Sequence, residues 1–387
     1  MMNRINTGLA AIAAGKVRMT AACILFPAMW AVALSCNDKP GRYVNQNVFT
    51  SVKSTTNIPF GSAKNPLHNN AVENLATDIF QPNNDTCTKR PLVIFMWGGG
   101  FQTGQRQDEN GDCQNFAKRG FVCATSDYRK GNGGAYTIPN FCGPAFMSTQ
   151  DTRAAIRFYK KNGAQYGIDT SLIFVGGCSS GAYAAMHTGY LDETSEIPKY
   201  LTAAVTEGGI EGNSGNPGYS SRPAGVLALS GSLFDSTWIT KGSIPAAMVG
   251  CAADPIESPD SLSNNGAPPK FISNFDMTRL TPRFKRMEVP NAIKVVPGSC
   301  HCPHNTDNIV GDQSIDFLAK SAFTFMNLPP VTRISAVINP QVLGGNADGA
   351  WFDLRGHRVE ASSGASKPLL PPGIYFHKPE SALASRK

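Results

Sequence analysis

A serine set between glycines is the first place in this chain where chemistry could be done. Gly177, Ser179 and Gly181 form a G-x-S-x-G pattern inside SLIFVGGCSSGAYAAMHTGYL, which starts at Ser171 and ends at Leu191. Residues 172–175 are a short apolar run suited to a buried strand. An alanine-rich run of helical character follows Ser179. The pattern predicts strand, tight turn and helix, with Ser179 at the turn. Small residues two before and two after it relieve the crowding of a strained backbone. The amino end of the helix then favours negative charge developing on an attacked carbonyl. Such a nucleophile needs a base, and the base needs an acid to orient it. In an open parallel sheet both come from the carboxyl ends of later strands, acid before base. Asp254 follows the apolar run ending at Gly250, and His301 follows the run ending at Val296. Asp260 and His304 are near enough to rival them. His301 would take the Ser179 proton and return it to the leaving group, while Asp254 would fix the imidazole tautomer. Gly98, Gly99 and Gly100 follow another apolar run. The N–H groups of Gly99, Gly100 and Ser180 would point at the oxyanion, since glycine lets backbone approach so closely.

Those residues need a scaffold. The runs at 91–97, 121–125, 172–175, 224–229, 245–250 and 292–296 read as strands, and 112–119, 148–162 and 314–326 as helices. Strands alternating with helices predict an α/β fold: a mostly parallel, doubly wound sheet with helices on both faces. Residues 43–53 and 74–80 read as early strands. Ser148 and Asp151 stand at capping-box spacing and place a helix start at Ser148. Two long Gly/Pro/Asn-rich stretches, 208–223 and 255–270, read as functional rims or lids, or equally as surface decoration.

The chain has 387 residues, enough for one large domain and a small one. Residues 19–35 are apolar, follow Arg18 and end in an A-x-S site, so 1–35 read as a secretory signal peptide. Cleavage there would leave Cys36 at the amino terminus, as in bacterial lipoproteins. Ala33 stands where those carry a large aliphatic residue, which favours plain secretion over lipidation. The expected location is secreted or cell surface, with at most transient membrane or secretion-machinery contact through the termini. Residues 36–44 read as a polar linker and 45–328 as the catalytic domain, closed by Pro329 and Pro330. Residues 329–387 read as a small β-rich module. Its RISAVI, AWFDLRGHRV and PPGIYFHK segments loosely resemble the C-terminal sorting modules of some bacterial secreted proteins.

The net charge of +7 comes without a Lys/Arg cluster interleaved with aromatics, which argues against a nucleic-acid partner. Ten cysteines in a secreted chain suggest disulfides. Setting aside Cys23 and Cys36 leaves eight, an even number that fits full pairing. No cofactor is expected. The CHCPH run from Cys300 to His304 lacks common chelating spacing and a second Cys/His pair, so no metal is expected either. His68, His187, His357 and His377 read as packing or surface residues.

From about residue 73 to 328 the chain resembles an α/β-hydrolase of the carboxylesterase/lipase type. The matching motifs are WGGGF (97–101), SDYR (126–129), GGCSSGA (176–182), the Asp254-Pro255 turn and His301. That family usually carries His before the three glycines; Trp97 stands here, which puts the support of the loop in question. The neighbours Cys178-Ser179 and His301-Cys302, with Asp254 between, also resemble the CS…D…HC arrangement of tannases and fungal-type feruloyl esterases. That resemblance implies a Cys178–Cys302 disulfide tying nucleophile to base. Cys251 and Cys300, flanking the acid and base loops, are candidates for a second bridge. The chain is shorter than a typical tannase and has no evident large lid domain. Together the resemblances imply a secreted serine esterase acting on small or polysaccharide-linked carboxylic esters, such as acetyl or feruloyl groups. The alternatives are a serine peptidase of the same fold and a non-catalytic homologue serving as a surface binding protein.

Overall fold

Every residue of the strand Arg90–Met96 (β3) is buried, and its side chains divide between two cores. Leu92, Ile94 and Met96 face one way, with Ala154, Ile156, Tyr159 and Ala182. Val93 and Phe95 face the other, with Phe116, Ala117, Leu318 and Ala322. The period of two sends alternate residues to opposite faces, so a strand covered on both sides reads as a continuous apolar run. The computed structural model that carries these features describes residues 36, 38–134, 138–256 and 277–328, with the backbone of 349–353, 358–359 and 375–379.

The main sheet has eight strands in the order β1-β2-β4-β3-β5-β6-β7-β8. They are Val52–Asn65 (β1), Ala71–Pro82 (β2), β3, Val122–Ser126 (β4), Ile168–Cys178 (β5), Gly225–Leu229 (β6), Ala246–Cys251 (β7) and Asn291–Val296 (β8). β1 and β2 form an antiparallel hairpin and β2 is antiparallel to β4; the remaining pairings are parallel. Helices Gly143–Tyr166 (α2), Ser180–Tyr190 (α3) and Met277–Arg286 (α4) contribute to one core. Asn110–Lys118 (α1) and Asn308–Met326 (α5) contribute to the other. The doubly wound, mostly parallel α/β sheet expected from the sequence is the one observed. Among the described residues no helix is long and apolar enough to cross a membrane.

Several elements differ from the sequence reading. Residues 43–51 are turns, and the first strand starts at Val52. Its mostly exposed polar residues hide it, because an edge strand needs few apolar positions. The segment read as a polar linker is packed instead: Arg42 and Tyr43 are buried, Arg42 pairs with Asp85 at 2.5 Å, and Tyr43 lies edge-on to Phe121. Helix α2 begins at Gly143, not Ser148, with Pro144 in its first turn. Ser148 Oγ instead donates to the Ala145 carbonyl, and Asp151 binds Arg129. The loop 208–223 packs against α2, where Glu211 accepts from Arg153 at 2.8 Å and from Arg157 at 2.6 Å. Helix α4 has no counterpart in the sequence reading, although Met277, Leu280 and Phe284 recur at helical spacing and are buried.

Disulfides join Cys36–Cys87, Cys113–Cys123, Cys178–Cys302 and Cys251–Cys300. Cys36 is therefore one of the paired cysteines. Cys142, one of the eight expected to pair, is a buried free thiol, and its burial pushes its pKa up to about 12. The segments 1–35 and 257–276, with the rival acid Asp260, lie outside the described residues. Thr332–Lys387 forms a separate unit, in which strands Gly349–Asp353 (β9), Arg358–Val359 (β10) and Tyr375–Pro379 (β11) make an antiparallel sheet in the order β10-β9-β11.

Candidate active site

Ser179 sits between the last residue of β5 and the first of α3, with φ 50° and ψ −121°. This is a left-handed, strained conformation for a non-glycine residue. The flanking glycines explain how the turn closes. A Cβ on Gly177 would stand 2.4 Å from the Met96 carbonyl oxygen, and one on Gly181 only 2.1 Å from it. Only hydrogens at both positions let β5 and α3 crowd onto the end of β3. The Ser179 N–H donates to the Leu229 carbonyl at 3.0 Å, pinning the turn to β6.

Asp254 lies three residues past β7, and His301 is in the loop after β8. His301 Nδ1 is 3.0 Å from both oxygens of Asp254, whose side chain is 6% exposed. Asp254 Oδ1 also accepts the Ile256 N–H at 2.9 Å, so the carboxylate is held in place. His301 Nε2 is buried and has no hydrogen-bond partner. A carboxylate on Nδ1 keeps the proton there and leaves Nε2 with a free lone pair. The rival His304 faces elsewhere: its Nε2 is 3.6 Å from Glu109 and 3.5 Å from Asp112. Burial lowers the His304 pKa, opposed by the charge of Asp112.

A cleft of about 640 Å³ brings these residues together. Ser179, His301, Gly98, Gly99, Gly100 and Ser180 all line it. Asp254 stands behind His301. Phe141, Tyr183 and Ile256 add apolar wall to the same cleft, and none of the three stands out in the sequence. The loop 208–223 lines a different cavity, so it is not a rim of this cleft.

The glycine loop is supported by an aromatic stack. The Trp97 ring lies on Tyr128 with centroids 3.8 Å apart and planes 11° from parallel. The Tyr128 hydroxyl donates to the Trp97 carbonyl at 3.0 Å and lies 3.2 Å from Ser180 Oγ. Gly104 brings the loop back against Trp97; a Cβ there would be 2.6 Å from the ring. Tryptophan thus supplies the support that the sequence left in question, through Tyr128 of the SDYR motif. From below, the Glu109 carboxyl accepts the Gly98 N–H. Burial pushes the pKa of Glu109 up to about 7, and burial with neighbouring Glu109 does the same to Asp112.

The segments that carry Ser179, Asp254 and His301 are cross-linked by disulfides. Cys178 precedes Ser179 and is bonded to Cys302, which follows His301; Cys251, at the end of β7, is bonded to Cys300. The Cys302 N–H donates to Ser230 Oγ at 3.0 Å, fixing the base loop to the end of β6.

The architecture matches solved structures of Thermogutta terrifontis esterase 2. The form phosphorylated by paraoxon gives a TM-score of 0.54 at 18% identity, covering 72% of this chain and 96% of that one. The fold is that of the α/β-hydrolases. The apo form gives 0.52 at 17% identity, covering 76% and 98%. A family model described as BD-FAE matches residues 77–214, from β2 through α3 and into the loop beyond. A curated relative, neuroligin-like protein glit-1 of Caenorhabditis elegans, is 32% identical over 110 residues. That match covers 28% of this chain and only 15% of the relative's length.

Proposed function

We propose that this chain is a serine esterase that hydrolyses carboxylic esters through an acyl-enzyme. The observation that carries the reading is the shared cleft. Ser179, on a strained turn, and His301, with Nδ1 on Asp254 and Nε2 unpartnered, line the same cavity. Ser179 Oγ attacks the ester carbonyl while His301 Nε2 takes its proton. The carbonyl oxygen gains negative charge among the N–H groups of Gly99, Gly100 and Ser180. As the intermediate collapses, the C–O bond to the alcohol breaks and His301 protonates the leaving oxygen. Water then attacks the acyl-enzyme by the same route and frees Ser179. Asp254 stays ionised and stabilises the imidazolium formed in each half.

The BD-FAE match and the fold shared with an esterase support this reading. Esterase 2 has also been solved with propionate bound, a short acyl group for that protein. The aromatic wall of Phe141 and Tyr183 suits a planar acyl group as well, so acetyl and feruloyl esters of plant polysaccharide are the proposed substrates. Disulfides on both sides of His301 fit an oxidising compartment, in keeping with secretion to the medium or cell surface.

The test is hydrolysis of p-nitrophenyl acetate, p-nitrophenyl butyrate and methyl ferulate by the wild type and by Ser179→Ala. Loss of about four to six orders of magnitude in kcat is expected for a triad nucleophile. Equal rates in the two proteins would end the esterase reading.

A further inference from the structure

Next to the triad lies a second cluster, which the proposed reaction does not use. Glu109 ends the 3-10 turn Arg106–Glu109, Asp112 is in the first turn of α1, and His304 is in the turn Pro303–Asn305 after the base loop. One donor atom from each lies within 4.8 Å of the others. Glu109 and Asp112 are three apart across a helical turn, which sets both carboxyls on one face. His304 Nε2 is 3.6 Å from Glu109 Oε2 and 3.5 Å from Asp112 Oδ2. Those gaps exceed a charge-assisted hydrogen bond of about 2.7–2.9 Å. They are close to the roughly 3.3–3.5 Å between two donors each bonded at about 2.0–2.1 Å to one tetrahedral cation.

Burial supplies an independent sign. The Glu109 side chain is 5% exposed and that of His304 is 3% exposed. Glu109 Oε2, the oxygen facing His304, is a buried atom with no hydrogen-bond partner. A buried carboxylate oxygen left unpaired in this way is costly unless a ligand satisfies it. Asp108 and Asp312 add negative potential nearby.

We propose that Glu109, Asp112 and His304 bind one divalent transition cation. Imidazole with two carboxylates favours zinc over magnesium or calcium, which prefer all-oxygen ligands. Two carboxylates also balance the charge of one such ion. The nearby Cys178 and Cys302 are bonded to each other and offer no thiolate. Of the CHCPH run, only His304 therefore takes part. The ion joins the turn after the base loop to α1 and, through Glu109 and the Gly98 N–H, to the glycine loop. Glu109 also lines the cleft that holds Ser179 and His301, so the ion's role is to brace the walls of that cleft.

The experiment uses the tag-free full chain, freed of metal with EDTA and titrated with ZnCl₂ by calorimetry, with Co²⁺ as an absorption probe. One ion per chain is expected, with a visible cobalt spectrum typical of low coordination number and mixed N/O ligands. The near-isosteric variants Asp112→Asn and His304→Gln should each weaken zinc binding at least about tenfold, with unchanged circular dichroism. No saturable binding to the wild type, or unaltered binding in both variants, would overturn the proposal. Because the readout is cation binding, this outcome is independent of whether Ser179 proves to be a nucleophile.

Discussion

Removing the bridge beside the nucleophile, with Cys178→Ala and Cys302→Ala together, should cost both stability and rate, in separable amounts. The two cysteines are 124 positions apart. Closing a loop of that length stabilises by about 4.9 kcal/mol in the chain-entropy relation. Cys251–Cys300 lies inside that loop and offers a shortcut through the second bridge. With it intact, the loop that the first bridge closes shrinks to roughly 75 residues, and the contribution falls to about 4.5 kcal/mol. For a domain of this size the loss corresponds to a fall in Tm of about 10 °C. Urea unfolding followed by tryptophan fluorescence gives the free energy, and a thermal scan gives Tm. Rate is measured well below the new Tm, where the folded fraction is near one. There kcat should still drop by about tenfold to a hundredfold, because a nucleophile or base displaced by an ångström forfeits that much. A stability loss under about 1 kcal/mol would refute the loop argument. Full kcat in the folded variant would refute the claim that the bridge positions the triad.

Other expectations follow from single sites. Asp254→Asn should retain the fold and lower kcat by about 10⁴, because an amide favours the wrong His301 tautomer; steady-state kinetics on p-nitrophenyl acetate checks this. His187 is fully buried and its pKa is lowered to about 3 by burial, so the native state excludes the proton that the unfolded chain binds below about 6.5. Stability from this site is present above that unfolded value and is lost as pH falls toward the folded one. Between pH 7 and pH 5 the loss is about 2 kcal/mol, and urea titrations of wild type and His187→Gln should differ by that increment. Peptide mapping without reductant should recover Cys36 joined to Cys87 and Cys142 as the free thiol, and Cys36→Ala with Cys87→Ala should cost about 4 kcal/mol on unfolding.

How legible each feature is in the sequence depends on how strongly it constrains residue type. β3, β4, β6, β7 and the second half of β5 are buried and read as apolar runs, whereas β8 is exposed or half-buried along most of its length; Gly177 and Gly181 are forced by contact with Met96. The order of strands alone puts Ser179, Asp254 and His301 at three strand ends. β1 is hidden because an edge strand facing solvent has no need of alternation. The 3.6-residue period of α4 is masked by Pro282 and its basic residues. Tyr43 is a core residue within a polar stretch, and its partners Phe121 and Phe323, far along the chain, show why. Glu109 and Asp112 look like ordinary surface acids of an amphipathic helix start. Their burial arises from the return of His304 nearly two hundred residues later, a contact that local spacing does not encode.

The placement of the cross-links also bears on how a short, irregular loop can hold His301, the base of the proposed reaction. Residues 297–302 belong to no strand or helix, and loops of this kind are the mobile parts of most sites. Yet His301 is flanked on both sides by bridged residues, Cys300 to the acid strand and Cys302 to the residue before the nucleophile. Its imidazole is tied to Asp254 and its following N–H to Ser230. The loop's conformational freedom is therefore removed on folding and oxidation rather than on substrate binding, so the binding energy of a small ester need not be spent on ordering the base. The arrangement depends on both bridges being oxidised. Opening the Cys178–Cys302 bridge alone should leave the sheet in place, held by its two buried cores, and lower the rate first.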